Sequence, residues 1–309
     1  MGKQQLMNKI LLCSSREKWK PHLEAAAKGL SGFIDYECVY SDIKNNLHKE
    51  VDDIDLCIVV AWYVNNAGKA LWKALRERGI PIVFLSDGLF LYKNKGSRTM
   101  HKYPFATFIN GPQSAPWGDK HYRTDLPKDR LKRFMPEIKT IRWRKKGDSI
   151  IIAHQSGGTH EGESKQDAYD EILKAACDTG RPVIYRLHPN SSAKTKKYVK
   201  NKIIGYSNVS INKAPRGRGR MNLKCPHCLI TYGGKSAAKA IIEGIPSITY
   251  DVTIAEMVAE RDLKNIENPK KVNRKPWLNW LSYNHWTISE MKSGLMWKFF
   301  IDEGYLDIC

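Results

Sequence analysis

The stretch Gly233-Gly234-Lys235-Ser236-Ala237-Ala238-Lys239-Ala240-Ile241-Ile242-Glu243-Gly244-Ile245-Pro246 decides the fold. Apolar residues 229–231 lead into it, and residues 247–250 lead out. The order reads strand, small-residue loop, helix, Gly-x-Pro turn, strand, which is the repeating unit of a parallel α/β sheet. A glycine pair lets backbone N–H groups approach a ligand closely. The helix that follows turns the positive end of its dipole toward the same place, so a phosphate is the natural occupant. The same glycines also suit an ordinary crossover in which they only make the turn.

Upstream, Arg186-Leu187-His188-Pro189 ends the apolar run 182–185. A cation and a histidine therefore stand where a parallel strand ends, the edge at which open α/β sheets bind ligands. The proline stops the strand and fixes the turn. A third loop, Gln155-Ser156-Gly157-Gly158-Thr159, follows the apolar run 149–153 and belongs at the same edge. The donor-phosphate candidates are thus Gln155, Ser156, Gly157, Arg186, His188, Gly233, Gly234, Lys235 and Ser236.

With these residues in view, the chain resembles the nucleotide-sugar half of GT-B glycosyltransferases, among them capsule polysaccharide and polyglycerol-phosphate transferases. Their mark is a His-Pro motif followed by a loop reading roughly S-x-x-G-x-E-A-x-x-x-G-x-P. Here the loop runs from Gly234 through Ala240 to Gly244-Ile245-Pro246, with matching small residues and the same Gly-x-Pro end. Gly234 stands in the place of the serine, and Lys239 in the place of the acid. The resemblance covers roughly residues 149–300. It implies two Rossmann-like domains facing a cleft, a C-terminal helix crossing back to the first domain, and a nucleotide-sugar donor, a UDP-sugar foremost.

The remainder of the 309-residue chain fits that outline, being long enough for two cores. Strand-like runs fall at 10–14, 36–40, 56–61, 81–85 and 106–109, with helical patterns at 21–30 and 67–78. Alternation of this kind means a doubly wound parallel sheet. Residues 111–147 hold four prolines and many cations and read as a linker. The pattern restarts with a strand at 149–153, a helix at 166–179, a strand at 183–185, and another at 203–206 or 209–211. The expected domains are 1–146, the acceptor side including the basic linker, and 147–309, the donor side. The aromatic tail 277–300 suits the crossing helix.

Charge is the second signal: 51 Lys and Arg face 32 Asp and Glu, a net of +19. That exceeds what solubility asks and points to a polyanionic partner. The cations gather at 128–146 around Trp143, at 194–202, in the Arg-Gly segment Arg216, Arg218, Arg220, and at 264–275. Arg142, Arg144, Lys145, Arg216, Arg218 and Arg220 are the candidate nucleic-acid contacts, with binding expected to be salt-sensitive and indifferent to sequence. Each cluster taken alone is also an ordinary solvated surface.

Sugar transfer needs stabilisation of the leaving phosphate and, in an inverting enzyme, a base for the acceptor hydroxyl. Asp87 directly follows the strand 81–85, and capsule transferases of this type carry a similar Asp-Gly there. An Asp-Gly pair is also a common turn. His154 and His160 flank the Gln155 loop as alternatives, His154 being the second candidate retained. Asp53-Ile54-Asp55 has a D-x-D pattern but precedes its strand, so no metal is expected. Cys225-Pro226-His227-Cys228 lacks the helix of a redox motif and the second pair of a zinc site, and reads as structural.

Joined, donor site and charge predict a metal-independent glycosyltransferase acting on a polyanion. The foremost acceptor is a hydroxymethylated base in DNA, as in some phage DNA glucosyltransferases. A capsule or teichoic-type polymer is the second reading, and a non-catalytic nucleic-acid-binding protein the third. With no apolar run of membrane length and no secretory pattern at the start, a soluble cytoplasmic protein is expected.

Overall fold

The β-branched runs form two five-stranded sheets. A computed structural model describes residues 8–14, 17–41, 51–60, 66–86, 88–89, 105–109, 122–134, 142–144, 147–155, 165–188, 191–212, 226–251 and 253–306. The chain divides into two compact units, Met1–Pro116 with Tyr283–Cys309, and Trp117–Ser282. Among the described residues no helix is long and apolar enough to cross a membrane.

In the first unit the elements are β1 (Asn8–Ser14), α1 (Lys20–Leu30), β2 (Tyr36–Ser41), β3 (Leu56–Val60), α2 (Asn66–Glu77), β4 (Ile82–Ser86) and β5 (Phe105–Ile109). The sheet order is β2-β1-β3-β4-β5. Its first four strands are parallel, whereas β5 runs antiparallel to β4, with Phe84 opposite Thr107. The all-parallel expectation is corrected there: an antiparallel edge strand on a parallel sheet is common in doubly wound folds. β3 and β4 are buried along their whole length, as strands covered on both faces must be.

The second unit carries α3 (Asp129–Phe134), β6 (Ser149–Ala153), α4 (Lys165–Asp178), β7 (Val183–Arg186), α5 (Ala193–Ile203), β8 (Val209–Asn212), β9 (Pro226–Thr231), α6 (Lys235–Ile242), β10 (Ser247–Thr249) and α7 (Lys275–Ser282). Its strands are all parallel in the order β10-β9-β6-β7-β8. In sequence rank that is the dinucleotide-fold order, with its switch point between β6 and β9. Of the two placements open for the strand after β7, the later one holds, and residues 193–203 are a helix begun by Ser192, whose hydroxyl accepts the Thr195 N–H at 3.1 Å.

Two further differences concern boundaries. The expected division at 146/147 falls inside the second unit. The reason is local: Trp143 donates its indole N–H to the Val272 carbonyl at 2.7 Å, and the Arg144 N–H bonds the Gly244 carbonyl at 2.8 Å. Residues 111–147, read as a linker, also contain α3, whose Leu131 and Phe134 are buried. The C-terminal tail rejoins the first unit, as the crossing helix requires, but in pieces: α8 (Ile288–Lys292) and α9 (Leu295–Asp302). Trp286, Trp297 and Phe300 enter the core under β1, β3 and α1. Trp297 donates its indole N–H to the Ala26 carbonyl at 2.6 Å, and Gly29 lies so close to the Met291 carbonyl that no Cβ fits.

Candidate functional site

The site is built from the carboxyl ends of three adjacent strands, β9, β6 and β7. β6 ends at Ala153, which lies in register with Arg186, the last residue of β7. The His154 N–H bonds the Arg186 carbonyl at 2.9 Å, carrying the ladder one step past the strand. Beyond β9 the chain turns at Tyr232 and Gly233, and α6 starts from Gly234. Gly234 has φ +82° and ψ −167°, a backbone region essentially confined to glycine. A Cβ there would meet Gln155 Nε2 at 3.2 Å. The first residues after β6 and the first turn of α6 therefore close on each other at the switch point. The first-turn amides of a helix have no acceptor inside it and point out of its end.

Tyr169 of α4 holds this edge from below. Its hydroxyl donates to the Ala153 carbonyl at 3.2 Å and accepts the Gln155 N–H at 2.8 Å. Its ring stacks on His154 at 4.2 Å and 19°. Burial pushes the phenol up to about 12, so it remains a neutral donor. Thr231 adds a hydroxyl 2.8 Å from the Ala153 carbonyl and 3.1 Å from that of Gly233. Tyr232 stacks on Tyr250, just past β10, at 5.7 Å. Gln155 Oε1 is buried and accepts no hydrogen bond among the described residues.

The electrostatics are cationic. Half-buried Arg186 has its basicity lowered by burial. Burial, then the charges of Arg186 and Lys239, hold the His188 imidazole below its ordinary value and so favour the neutral ring. The Ser191 N–H bonds the His188 carbonyl at 2.9 Å, just ahead of α5.

His154, Gln155, Arg186, His188, Gly233, Gly234, Lys235 and Ser236 thus stand at one sheet edge. Ser156 and Gly157 lie outside the described residues, as do His160, Asp87, Lys145, Arg216, Arg218 and Arg220. Arg142 and Arg144 are at the other end of α6. Arg144 is engaged there, with Nε donating to the Glu243 carbonyl at 3.0 Å and Nη2 to Glu243 Oε2 at 3.4 Å. Arg142 is exposed, and its carbonyl accepts from buried Arg274 at 3.0 Å. Asp55 precedes β3 and takes the Lys9 N–H at 2.8 Å. Cys228 is buried inside β9 with its thiol pushed up to about 12, and His227 Nε2 lies 2.8 Å from the Ile266 carbonyl. Tyr169 and Thr231 were not signalled by any motif. The one available hint was a tyrosine on the apolar side of an otherwise charged helix, whose buried hydroxyl needs a partner.

No protein-family model and no curated protein matches the chain. Among solved structures it is similar to the UDP-GlcNAc 2-epimerase of Methanocaldococcus jannaschii in complex with UDP-GlcNAc and UDP, at 11% identity and a TM-score of 0.41, over 96% of this chain and 100% of that one. It is similar to KpsC, the beta Kdo 2,7 transferase of Thermosulfurimonas dismutans, at 13% identity and a TM-score of 0.46, over 95% and 99% of the two chains. The E. coli heptosyltransferase WaaC with ADP is a third, at 9% identity and a TM-score of 0.26, over 78% and 86%. These likenesses add no residue to the site, which rests on its own geometry.

Proposed function

We propose that this protein is a glycosyltransferase that takes a sugar from a nucleotide sugar and places it on a hydroxyl of a polyanionic acceptor. The observation that carries the reading is the closure of Gln155 on Gly234 at the switch point of the second sheet, with Arg186 and His188 on the next strand end. Backbone amides of the first turn of α6 and the Arg186 guanidinium would face the donor phosphates. Charge that develops on the leaving diphosphate is stabilised by such fixed donors. The His188 ring would donate a hydrogen bond to the same oxygens. The donor is a UDP-sugar foremost, and no metal takes part in the proposed step.

Asp87 is the proposed base, taking the proton of the acceptor hydroxyl as the sugar transfers. What supports it is position: it directly follows β4, and two residues on, the Leu89 N–H is held at 2.9 Å by Nε2 of the buried His285. Asp87→Asn is expected to remove turnover while sparing donor affinity and the folding midpoint. Retained turnover would move the role to His154 or His160.

The proposed acceptor is a hydroxymethylated base in duplex DNA, which would have to leave the stack to react. Net charge of +19 supports a polyanion. The test supplies a panel of nucleotide sugars with hydroxymethylated DNA and, separately, with anionic glycans. A mass shift on the base supports the DNA acceptor. Transfer to glycan alone moves the protein to the polysaccharide class, and transfer to neither removes the enzymatic reading.

A further inference from the structure

Lys239 occupies the position at which the motif that this loop resembles has an acid. The exchange inverts the hydrogen-bonding sense of that position. A carboxylate accepts, and so holds hydroxyl groups; an ammonium has three donors and no acceptor, and so holds anions.

The placement of Lys239 follows from α6. The helix buries Ala237, Ala238, Ala240, Ile241 and Ile242, which leaves Lys235, Ser236 and Lys239 on the half-buried stripe. A spacing of four sets Lys239 one turn beyond Lys235 on the same face. The positive charge of Lys239 reaches His188, past the end of β7, together with that of Arg186. Arg186 is in register with Ala153, and Gln155, two residues beyond Ala153, closes on Gly234. Cations from β7 and α6 therefore converge on one strand edge.

A diphosphate seated at the Gly234 turn meets the end of α6 and the Arg186–His188 pair. Lys239 lies one turn beyond Lys235, deeper along the helix than the turn that meets the diphosphate. We propose that Lys239 is a specificity-determining residue, selecting ligands that carry a further anionic group, a phosphomonoester or a carboxylate, beyond the diphosphate. This inference rests on the donor-site reading.

The experiment measures affinities by calorimetry on the full chain. One arm sets each common nucleoside diphosphate against its ribose-phosphorylated form. The other sets uridine diphosphate glucose against uridine diphosphate glucuronate, which differ by one carboxylate. The wild type is expected to bind the more anionic member of at least one pair roughly tenfold tighter, the effect of one charge-assisted hydrogen bond. Lys239→Gln should remove the preference and Lys239→Glu should reverse it, with thermal midpoints checked for both. The arm that responds identifies the source of the anion. Nucleotides bound without preference, or a preference that survives Lys239→Gln, would overturn the inference and leave the donor-site reading standing. A wild type that binds no nucleotide would overturn both.

Discussion

Gly234 and Gln155 face each other across the switch point of the second sheet: a Cβ on residue 234 would stand 3.2 Å from Gln155 Nε2. Two requirements therefore fall on one residue. The backbone at φ +82° and ψ −167° excludes other side chains by strain, and a Cβ would also press on the neighbouring amide, which would have to give by a few tenths of an ångström. Gly234→Ala should cost about 1–3 kcal/mol of stability from the backbone alone. Gly234→Val should in addition abolish nucleotide binding. The double variant Gly234→Ala with Gln155→Ala separates the terms, since it relieves the contact and leaves the strain. Urea midpoints for the single and double variants measure both, and a double variant no more stable than Gly234→Ala would show that the contact is slack.

His188 supplies a pH dependence whose sign can be worked out. Burial and the charges of Arg186 and Lys239 lower its folded value below the unfolded one. The unfolded chain therefore takes the proton first as pH falls. Stability contributed by the neutral ring is complete above the ordinary histidine value near ~6.5 and declines as pH drops through and below it. A bound phosphate acts in the opposite direction and favours the imidazolium. Phosphate-bearing ligands should thus bind with proton uptake and bind more tightly at about pH 6 than at about pH 8. Binding heats in two buffers of different ionisation enthalpy count the proton. In His188→Gln the count should vanish; an unchanged count would place the titrating group elsewhere.

A structural prediction concerns Arg274, which is 1% exposed. It donates to the carbonyls of Ile241, Ile242 and Arg142 and covers the Trp143 ring at 4.9 Å. Burial and the neighbouring Arg144 pull its basicity down to about 10, which leaves it cationic at neutral pH. The guanidinium ties the last carbonyls of α6 to the chain that enters the second sheet. Arg274→Ala should cost about 3 kcal/mol, because several buried acceptors lose their donor at once. Arg274→Lys should recover little of it, since one ammonium does not span three carbonyls. Arg144→Ala, in a half-buried pair, should cost about 1 kcal/mol. Denaturation midpoints decide the order, and a loss below that of Arg144→Ala would remove the role given to Arg274.

How far the sequence carried these assignments depended on the kind of signal. β6 and β9 were legible because a buried parallel strand is a short apolar run, and α6 because a glycine pair and Gly-x-Pro bracket it. The antiparallel turn of β5 was not, since direction within a sheet leaves no mark on five residues. Residues 193–203 showed only as a lysine cluster, because a helix with Val199 as its single fully buried residue lacks an apolar stripe. Residues 142–144 read as linker because their hold on the second unit comes from Arg274 and Val272, about 130 residues downstream. In the site, Gly234 and His188 announced themselves by motif. Tyr169 did not, since its part is set by which carbonyl and amide its hydroxyl meets after folding.

The position of the cations refines the test of the acceptor. Arg144 is committed to Glu243, so its removal should change stability more than polyanion binding. On α5, Lys202 pairs with Asp170, whereas Lys194, Lys196, Lys197 and Lys200 are exposed and meet no carboxylate among the described residues. Since α5 begins five residues past His188, its lysines stand next to the candidate donor site in the chain. If the acceptor is DNA, affinity should fall steeply with salt, each phosphate contact contributing roughly 0.9 to the logarithmic slope. Replacing Lys196, Lys197 and Lys200 together by Gln should flatten that slope by up to about three contacts' worth and weaken binding at least tenfold. The triple replacement of Arg216, Arg218 and Arg220 should act in the same sense, and donor hydrolysis should persist in both variants. Duplexes of unrelated sequence should bind alike, because phosphate contacts carry no base information. A slope unchanged in both triple variants, with wild-type DNA binding already weak and insensitive to salt, would remove DNA as the acceptor and leave the anionic glycan, assayed in parallel for sugar transfer, as the polyanion to pursue.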